Sequence, residues 1–174
     1  FASTQKAWGL PAGFAICSVS EKLIKKARNI KEKGYFLNLN VYEKYYAKMQ
    51  TPSTPSIPHM FGLKHVLGNI EKEGLDSRWE RHGEMAKLTR EWAINHGQTL
   101  FPEEGFESNT ITCIDNKQNW NIEKINEKLL KKGFRMDRGY GKLRGKAFRI
   151  AHMGNVELDD LKEFLYNFDE AING

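Results

Sequence analysis

Three of the chain's five prolines fall within nine residues, Gln50-Thr51-Pro52-Ser53-Thr54-Pro55-Ser56-Ile57-Pro58. Proline fixes φ and withdraws a backbone donor, so this segment predicts neither helix nor central strand but a stiff, hydroxyl-rich loop. It divides the chain. Ahead of it, Gly13-Phe14-Ala15-Ile16-Cys17-Ser18-Val19 is a short apolar run between glycine and a polar cluster, the pattern of a strand buried on both faces. Ser20 then caps a basic helix, with apolar residues at 23, 24, 27 and 30, and Gly34 ends it. Residues 35–49 carry tyrosines, asparagines and lysines without a clear period and read as an irregular surface or interface stretch.

Beyond the loop the punctuation is regular. Residues 60–73 predict a helix closed by Gly74. A longer one over 76–96 ends at Gly97, with Trp79, Met85, Ala86, Leu88, Trp92 and Ala93 recurring at threes and fours. That length suits a helix bridging two domains. From Gln98 short strands alternate with helices: strands at 99–101, 110–114, 134–137 and 148–153, a helix over 122–132 stopped by Gly133, and a closing helix carrying Leu158, Leu161, Leu165, Phe168 and Ile172. This predicts a small α+β unit with helices covering one side of its sheet.

The composition, 40% hydrophobic and 28% charged over 174 residues, is that of a folded domain and excludes disordered, collagen-like and mucin-like chains. No run approaches the roughly 18 apolar residues of a membrane helix, and no signal peptide opens the chain, so a cytoplasmic protein is expected. The excess of 27 basic over 22 acidic residues is densest at 23–33. No stacking aromatics interleave there, so it reads as the solvated face of an amphipathic helix rather than a nucleic-acid site. Cys17 and Cys113 are too isolated for a disulfide framework or a metal site and are expected to be buried thiols. The five histidines form no metal-ligand spacing, and no metal is assigned. The chain opens at Phe1 without methionine and reads as the later part of a longer protein.

Two side chains are candidates for chemistry. Lys6 lies in the polar turn Ser3-Thr4-Gln5-Lys6 leading toward the first apolar run, where an amine nucleophile would need partial desolvation and neighbouring hydroxyls and amides. Arg149 alternates with Ala147 and Ala151 on one face of its strand, opposite Phe148, Ile150 and His152. Small neighbours leave room for a guanidinium fork to take a carboxylate, although a structural ion pair to one of the 22 acids is as good a reading. The hydroxyls of the Thr51–Pro55 loop are a weaker candidate for a phosphate. Residues 139–145, Gly-Tyr-Gly-Lys-Leu-Arg-Gly, lack dinucleotide-fingerprint spacing and read as a flexible basic hairpin.

Taken together, Ser3-Thr4-Gln5-Lys6-Ala7-Trp8-Gly9-Leu10-Pro11-Ala12-Gly13, Thr51-Pro52-Ser53-Thr54-Pro55 and Phe148-Arg149-Ile150-Ala151-His152-Met153-Gly154 resemble three successive motifs of the class V aminotransferases. These are pyridoxal-phosphate enzymes of fold type I, and the branch most resembled contains the serine–pyruvate and alanine–glyoxylate aminotransferases. The resemblance implies an α/β PLP-transferase fold. Residues 1–75 would be the end of the large cofactor-binding domain, 76–97 a bridging helix and 98–174 the small α+β C-terminal domain. It implies that Lys6 forms the Schiff base with the cofactor, that Gln5 approaches its phosphate, that Thr54 reaches the phosphate of the neighbouring subunit in a homodimer, and that Arg149 grips the substrate α-carboxylate. The implied reaction is ping-pong transamination between a small amino acid (serine, alanine or aspartate type) and a 2-oxo acid.

The sequence departs from the family pattern at Ser3-Thr4, where Gly-Ser is frequent, at Ala12 for a second proline, at Ala151 for a glycine, and at Thr51 for a tyrosine. The last removes an aromatic hydroxyl from the phosphate site. The family's ring-stacking aromatic, its pyridine-nitrogen aspartate and its first phosphate-binding turn precede the lysine, so the chain alone is expected to be inactive or nearly so. Alternative readings are a phosphoserine aminotransferase, a desulfurase-type lyase, for which neither cysteine lies on a suitable loop, and a non-catalytic binding module.

Overall fold

The computed structural model describes residues 1–31 and 33–173; Glu32, within the basic stretch, and Gly174 lie outside the described residues. The chain divides into two compact units, residues 1–67 and 68–174.

In the first unit β1 (Ala2–Ser3) pairs antiparallel with β2 (Ala15–Ile16), Ala2 opposite Ile16 and Ser3 opposite Ala15. The apolar run around β2 is thus only partly a strand, and it is not buried on both faces: Ala15 is exposed and Ile16 half-buried. Among the described residues no second strand pairs with β2, so the rest of the run has no ladder to join. Cys17 is accordingly exposed and Cys113 half-buried, correcting the expectation of buried thiols.

Helix α1 (Glu21–Arg28) starts where Ser20 Oγ accepts from the Leu23 N–H at 3.3 Å. It stops six residues before Gly34, because the Asn29 N–H turns back to the Lys26 and Ala27 carbonyls and closes the last turn. Residues 35–49 are not irregular throughout. They contain α2 (Leu39–Tyr46), capped by the Asn38 side chain and tied to α1 by an Arg28–Glu43 ion pair of 2.7 Å. No residue of α2 is buried, so no apolar stripe announced it. Helix α3 (Ile57–Glu73) begins three residues earlier than the sequence suggests. Pro58 is tolerated in its first turn, where a backbone N–H would lack a helical partner in any case.

The second unit contains α4 (Leu75–Asn95), β3 (Thr99–Leu100), β4 (Ile111–Asp115), α5 (Ile122–Lys131), β5 (Ala147–Ala151) and α6 (Leu158–Asn173). The strands form an antiparallel sheet in the order β3-β4-β5, with Cys113 opposite Arg149 and Ile114 opposite Phe148. Side chains alternate along a strand. Thr112, Ile114, Phe148 and Ile150 are therefore buried, while Cys113 and Arg149 are half-exposed on the other face. Met85 and Trp92 of α4, Leu129 of α5 and Phe168 of α6 join Ile114 and Phe148 in the core. Trp79 does not share in this: the stripe assigned to it by periodicity leaves it 65% exposed.

Two expected elements differ. Residues 134–137 form no strand beyond a single bridge between Asp137 and Arg149. Residues 139–145 are not a hairpin but a turn built round a 3-10 segment, Gly141–Leu143. Gly139 has φ +83°, and a Cβ there would lie 2.4 Å from the carbonyl oxygens of Leu143 and Ala147, so only glycine fits. Arg138 and Arg144 both reach Glu123 of α5, at 2.5 and 2.7 Å, and fasten the turn from its two sides.

Phe168 is fully buried, 4.9 Å from Trp92, 5.9 Å from Trp120 and 5.7 Å from Phe148 between ring centroids. Replacing it by alanine empties the centre of the cluster. Phe168→Ala is expected to lower the unfolding free energy by about 3–5 kcal/mol, measured by urea denaturation followed through tryptophan fluorescence.

Candidate functional site

Lys6 sits in the turn that follows β1. The fold is local: the Thr4 N–H donates to the Phe14 carbonyl at 3.1 Å, the Leu10 N–H to the Thr4 carbonyl at 3.0 Å and the Gly9 N–H to the Lys6 carbonyl at 2.9 Å. Thr4 is fully buried, and its hydroxyl lies 2.7 Å from the Pro11 carbonyl and 3.1 Å from that of Phe14. With the backbone braced from below, the Gln5 and Lys6 side chains are both exposed at the tip. Both side chains are open to solvent, so the lysine turn by itself does not supply the partial desolvation expected around an amine nucleophile.

The hydroxyl loop is held to the same scaffold by a residue the sequence reading passed over. His59 Nε2 donates to the Pro11 carbonyl at 3.0 Å, since that oxygen only accepts. In the neutral ring Nδ1 then accepts from the Ser56 hydroxyl at 2.7 Å. The ring stacks against Phe14 at 5.9 Å and 25°. Pro11 O is therefore shared by Thr4 and His59, and one carbonyl links the lysine turn to the start of α3. Thr54 lies exposed two residues before Ser56, on a loop stiffened by Thr51 Oγ1 donating to Ser53 O at 2.6 Å and Tyr35 Oη donating to Pro52 O at 3.2 Å. No local signal marked His59: the capping pattern at a helix start pairs serine with glutamate or glutamine three residues on, whereas here serine meets histidine side chain to side chain.

Arg149 belongs to the second unit. Its guanidinium is not open on all sides: Nε donates to Asp137 Oδ1 at 2.9 Å and Nη2 to Asp137 Oδ2 at 2.6 Å, a bidentate pair with side chains 43% and 37% exposed. Hydrogen bonding from Arg149 holds the Asp137 carboxyl below its ordinary value, with burial opposing and the Gly139 N–H assisting. The same contact raises Arg149. Asp137 was absent from the sequence candidates. The signal was its place twelve residues before Arg149, across a turn centred near 143.

Beneath this face lies a buried polar layer. His152 is fully buried, with Nε2 2.9 Å from Thr112 Oγ1. Burial pushes it down to about 4, and the nearby charges of His82 and Arg90 act in the same direction against backbone hydrogen bonds that favour the charged ring. The segment after β5 is pinned by Arg78 and Arg81, which donate to the Gly154 carbonyl and are paired with Glu73 at 2.7 Å each. Among the described residues no cluster of three or more His, Cys, Asp or Glu could hold a metal ion.

No protein-family model matches the chain. It is 37% identical over 156 residues to an uncharacterized aminotransferase of Methanocaldococcus jannaschii, covering 87% of this chain and 40% of that protein. It is 32% identical over 160 residues to a serine–glyoxylate aminotransferase of Arabidopsis thaliana, covering 88% and 39%. Among solved structures, an alanine–glyoxylate aminotransferase from Nostoc sp. superposes with a TM-score of 0.85 at 23% identity, over 97% of this chain and 46% of that one. A pyridoxamine–pyruvate aminotransferase from Mesorhizobium loti gives 0.86 at 24%, over 97% and 44%. The fold is therefore that of the pyridoxal-phosphate aminotransferases, seen in part. By sequence the chain is a homologue of the class V aminotransferases that include the serine–glyoxylate enzymes, and it spans about 40% of the length of the curated relatives it matches.

His152 gives a pH test of the second unit. Its folded value of about 4 lies below the ordinary 6.5, so between these limits the unfolded chain binds the extra proton. The stability from keeping the ring neutral is complete above about pH 6.5 and is lost as pH falls toward 4. In His152→Gln the slope of unfolding free energy against pH over that window is expected to flatten, measured by urea titrations at each pH.

Proposed function

We propose that this chain supplies the C-terminal portion of a pyridoxal-phosphate-dependent aminotransferase that moves an amino group between a small amino acid, of serine, alanine or aspartate type, and a 2-oxo acid. The observation that carries the reading is the braced turn with Gln5 and Lys6 both exposed at its tip, in a chain whose homologues are aminotransferases. The donor set fits the cofactor: an amine for its aldehyde, and an amide and a hydroxyl, from Gln5 and Thr54, for its phosphate. When bound, the cofactor supplies an electron sink that stabilises negative charge at the substrate α-carbon.

The chain's own residues do the rest. Lys6 Nζ would hold the cofactor by its aldehyde, and the same amine would move the proton at the substrate α-carbon. Proximity gives it a high effective concentration there. Gln5 would donate to the cofactor's phosphate, and Thr54 would donate to the phosphate of a neighbouring subunit's cofactor. Arg149 would bind the α-carboxylate with the part of its fork that Asp137 leaves free.

A homodimer is the assembly in which Thr54 can act. Its support is an exposed apolar group in the first unit, with Tyr35, Phe36, Leu37, Tyr46 and Met49 each more than half exposed. Among the described residues no helix is long and apolar enough to cross a membrane. The free thiols Cys17 and Cys113 suit a reducing cytoplasm. We assign residues 1–75 to the end of the large domain, 76–97 to the bridging helix and 98–174 to the small domain of the whole enzyme.

Pyridoxal phosphate followed by borohydride reduction is expected to label Lys6, located by peptide mass, and Lys6→Ala is expected to abolish the label. Random labelling of the chain's other lysines with Lys6 unmodified would sink the reading. In the whole enzyme Arg149→Ala is expected to raise KM for amino and oxo acids about 10–100-fold, the worth of a charge-assisted carboxylate pair, while cofactor content is unchanged.

A further inference from the structure

Arg149 has five N–H donors arranged on two usable edges. Asp137 takes one edge, Nε with Nη2, and leaves the other, Nη1 with the second hydrogen of Nη2, without a hydrogen-bond partner among the described residues. The Asp137 carboxylate is not a mobile stand-in that merely rests on the fork. Its Oδ1 also accepts from the Gly139 N–H at 2.9 Å, and its own carbonyl accepts the Arg149 N–H at 3.4 Å across the bridge. The turn behind it is closed by a glycine that admits no Cβ and by two arginines on Glu123. A carboxylate anchored this way holds a guanidinium plane rather than competing for it.

Resting on the reading of Arg149 as the carboxylate-binding residue, we propose that Asp137 is a positioning residue for the reaction: it fixes the Arg149 guanidinium by its Nε–Nη2 edge so that the Nη1–Nη2 edge receives the substrate carboxylate. A half-exposed arginine side chain otherwise spreads over many rotamers, and ordering it must be offset on each binding event. Asp137 meets that cost within the folded protein. It touches neither substrate nor cofactor.

The test uses the whole pyridoxal-phosphate-loaded enzyme, with L-serine as donor and glyoxylate as acceptor. Asp137→Ala is expected to raise KM for both substrates about tenfold or more, with kcat at saturation changed less than about threefold and Lys6 labelling unchanged. Asp137→Asn keeps one acceptor oxygen and should restore part of the loss, and it serves as the readable variant if alanine unfolds the turn. A fall in KM in either variant would mark Asp137 as a competitor for the fork and overturn the proposal. So would equal losses in kcat and in Lys6 labelling, which mark a structural role. The control is Arg149→Ala: if KM is unmoved there, the reading of Arg149 itself fails. If KM rises in Arg149→Ala but stays at the parent value in both Asp137 variants, only the positioning role fails.

Discussion

The second unit depends on one buried contact, the stacking of Phe148 on Phe168 at 5.7 Å and 28°, with Trp92 and Trp120 closing round it. Burying aromatic side chains of this size is the largest apolar contribution available to a unit this small. It also sets direction. Once Phe148 faces the helices, the period of two along β5 leaves Arg149 on the open face and sends Ile150 back into the core. A one-residue slip would bury a guanidinium without water, at a cost of several kcal/mol. The position of the cationic fork is therefore a consequence of hydrophobic packing on the other side of the strand.

The first unit is organised differently. Few of its residues are buried, and its lysine turn is held by hydrogen bonds to carbonyls rather than by a core. Thr4 and His59 meet at the Pro11 oxygen, so the segment carrying Lys6 and the segment carrying Thr54 share a support. Such a frame places polar side chains without covering them, which leaves Gln5 and Lys6 open to a ligand.

Much of this was legible beforehand. Helices over 60–73, 76–96 and 122–132 and the closing helix appear within three residues of the expected limits, because glycine punctuation and apolar spacing act locally. The Lys6, Thr54 and Arg149 motifs were readable for the same reason: each is a short run of residue types. What was not legible depends on pairing. The strand at 13–19 shrank to Ala15–Ile16, because a strand's extent is set by what hydrogen-bonds to it. Helix α2 escaped notice because it buries nothing.

Composition, proline placement and local periodicity thus determined that this is a folded chain of helices and short strands with a stiff hydroxyl loop, a lysine in a polar turn and an arginine on a strand of alternating faces. Tertiary structure alone decided that Asp137 meets Arg149 across a turn and that His59 reaches back to Pro11. In both contacts the residue types show that a partner is possible but not which of the many candidates it will be. Charge and hydrogen-bonding capacity are written in the residue, but the neighbour that uses them is chosen by how the chain closes on itself.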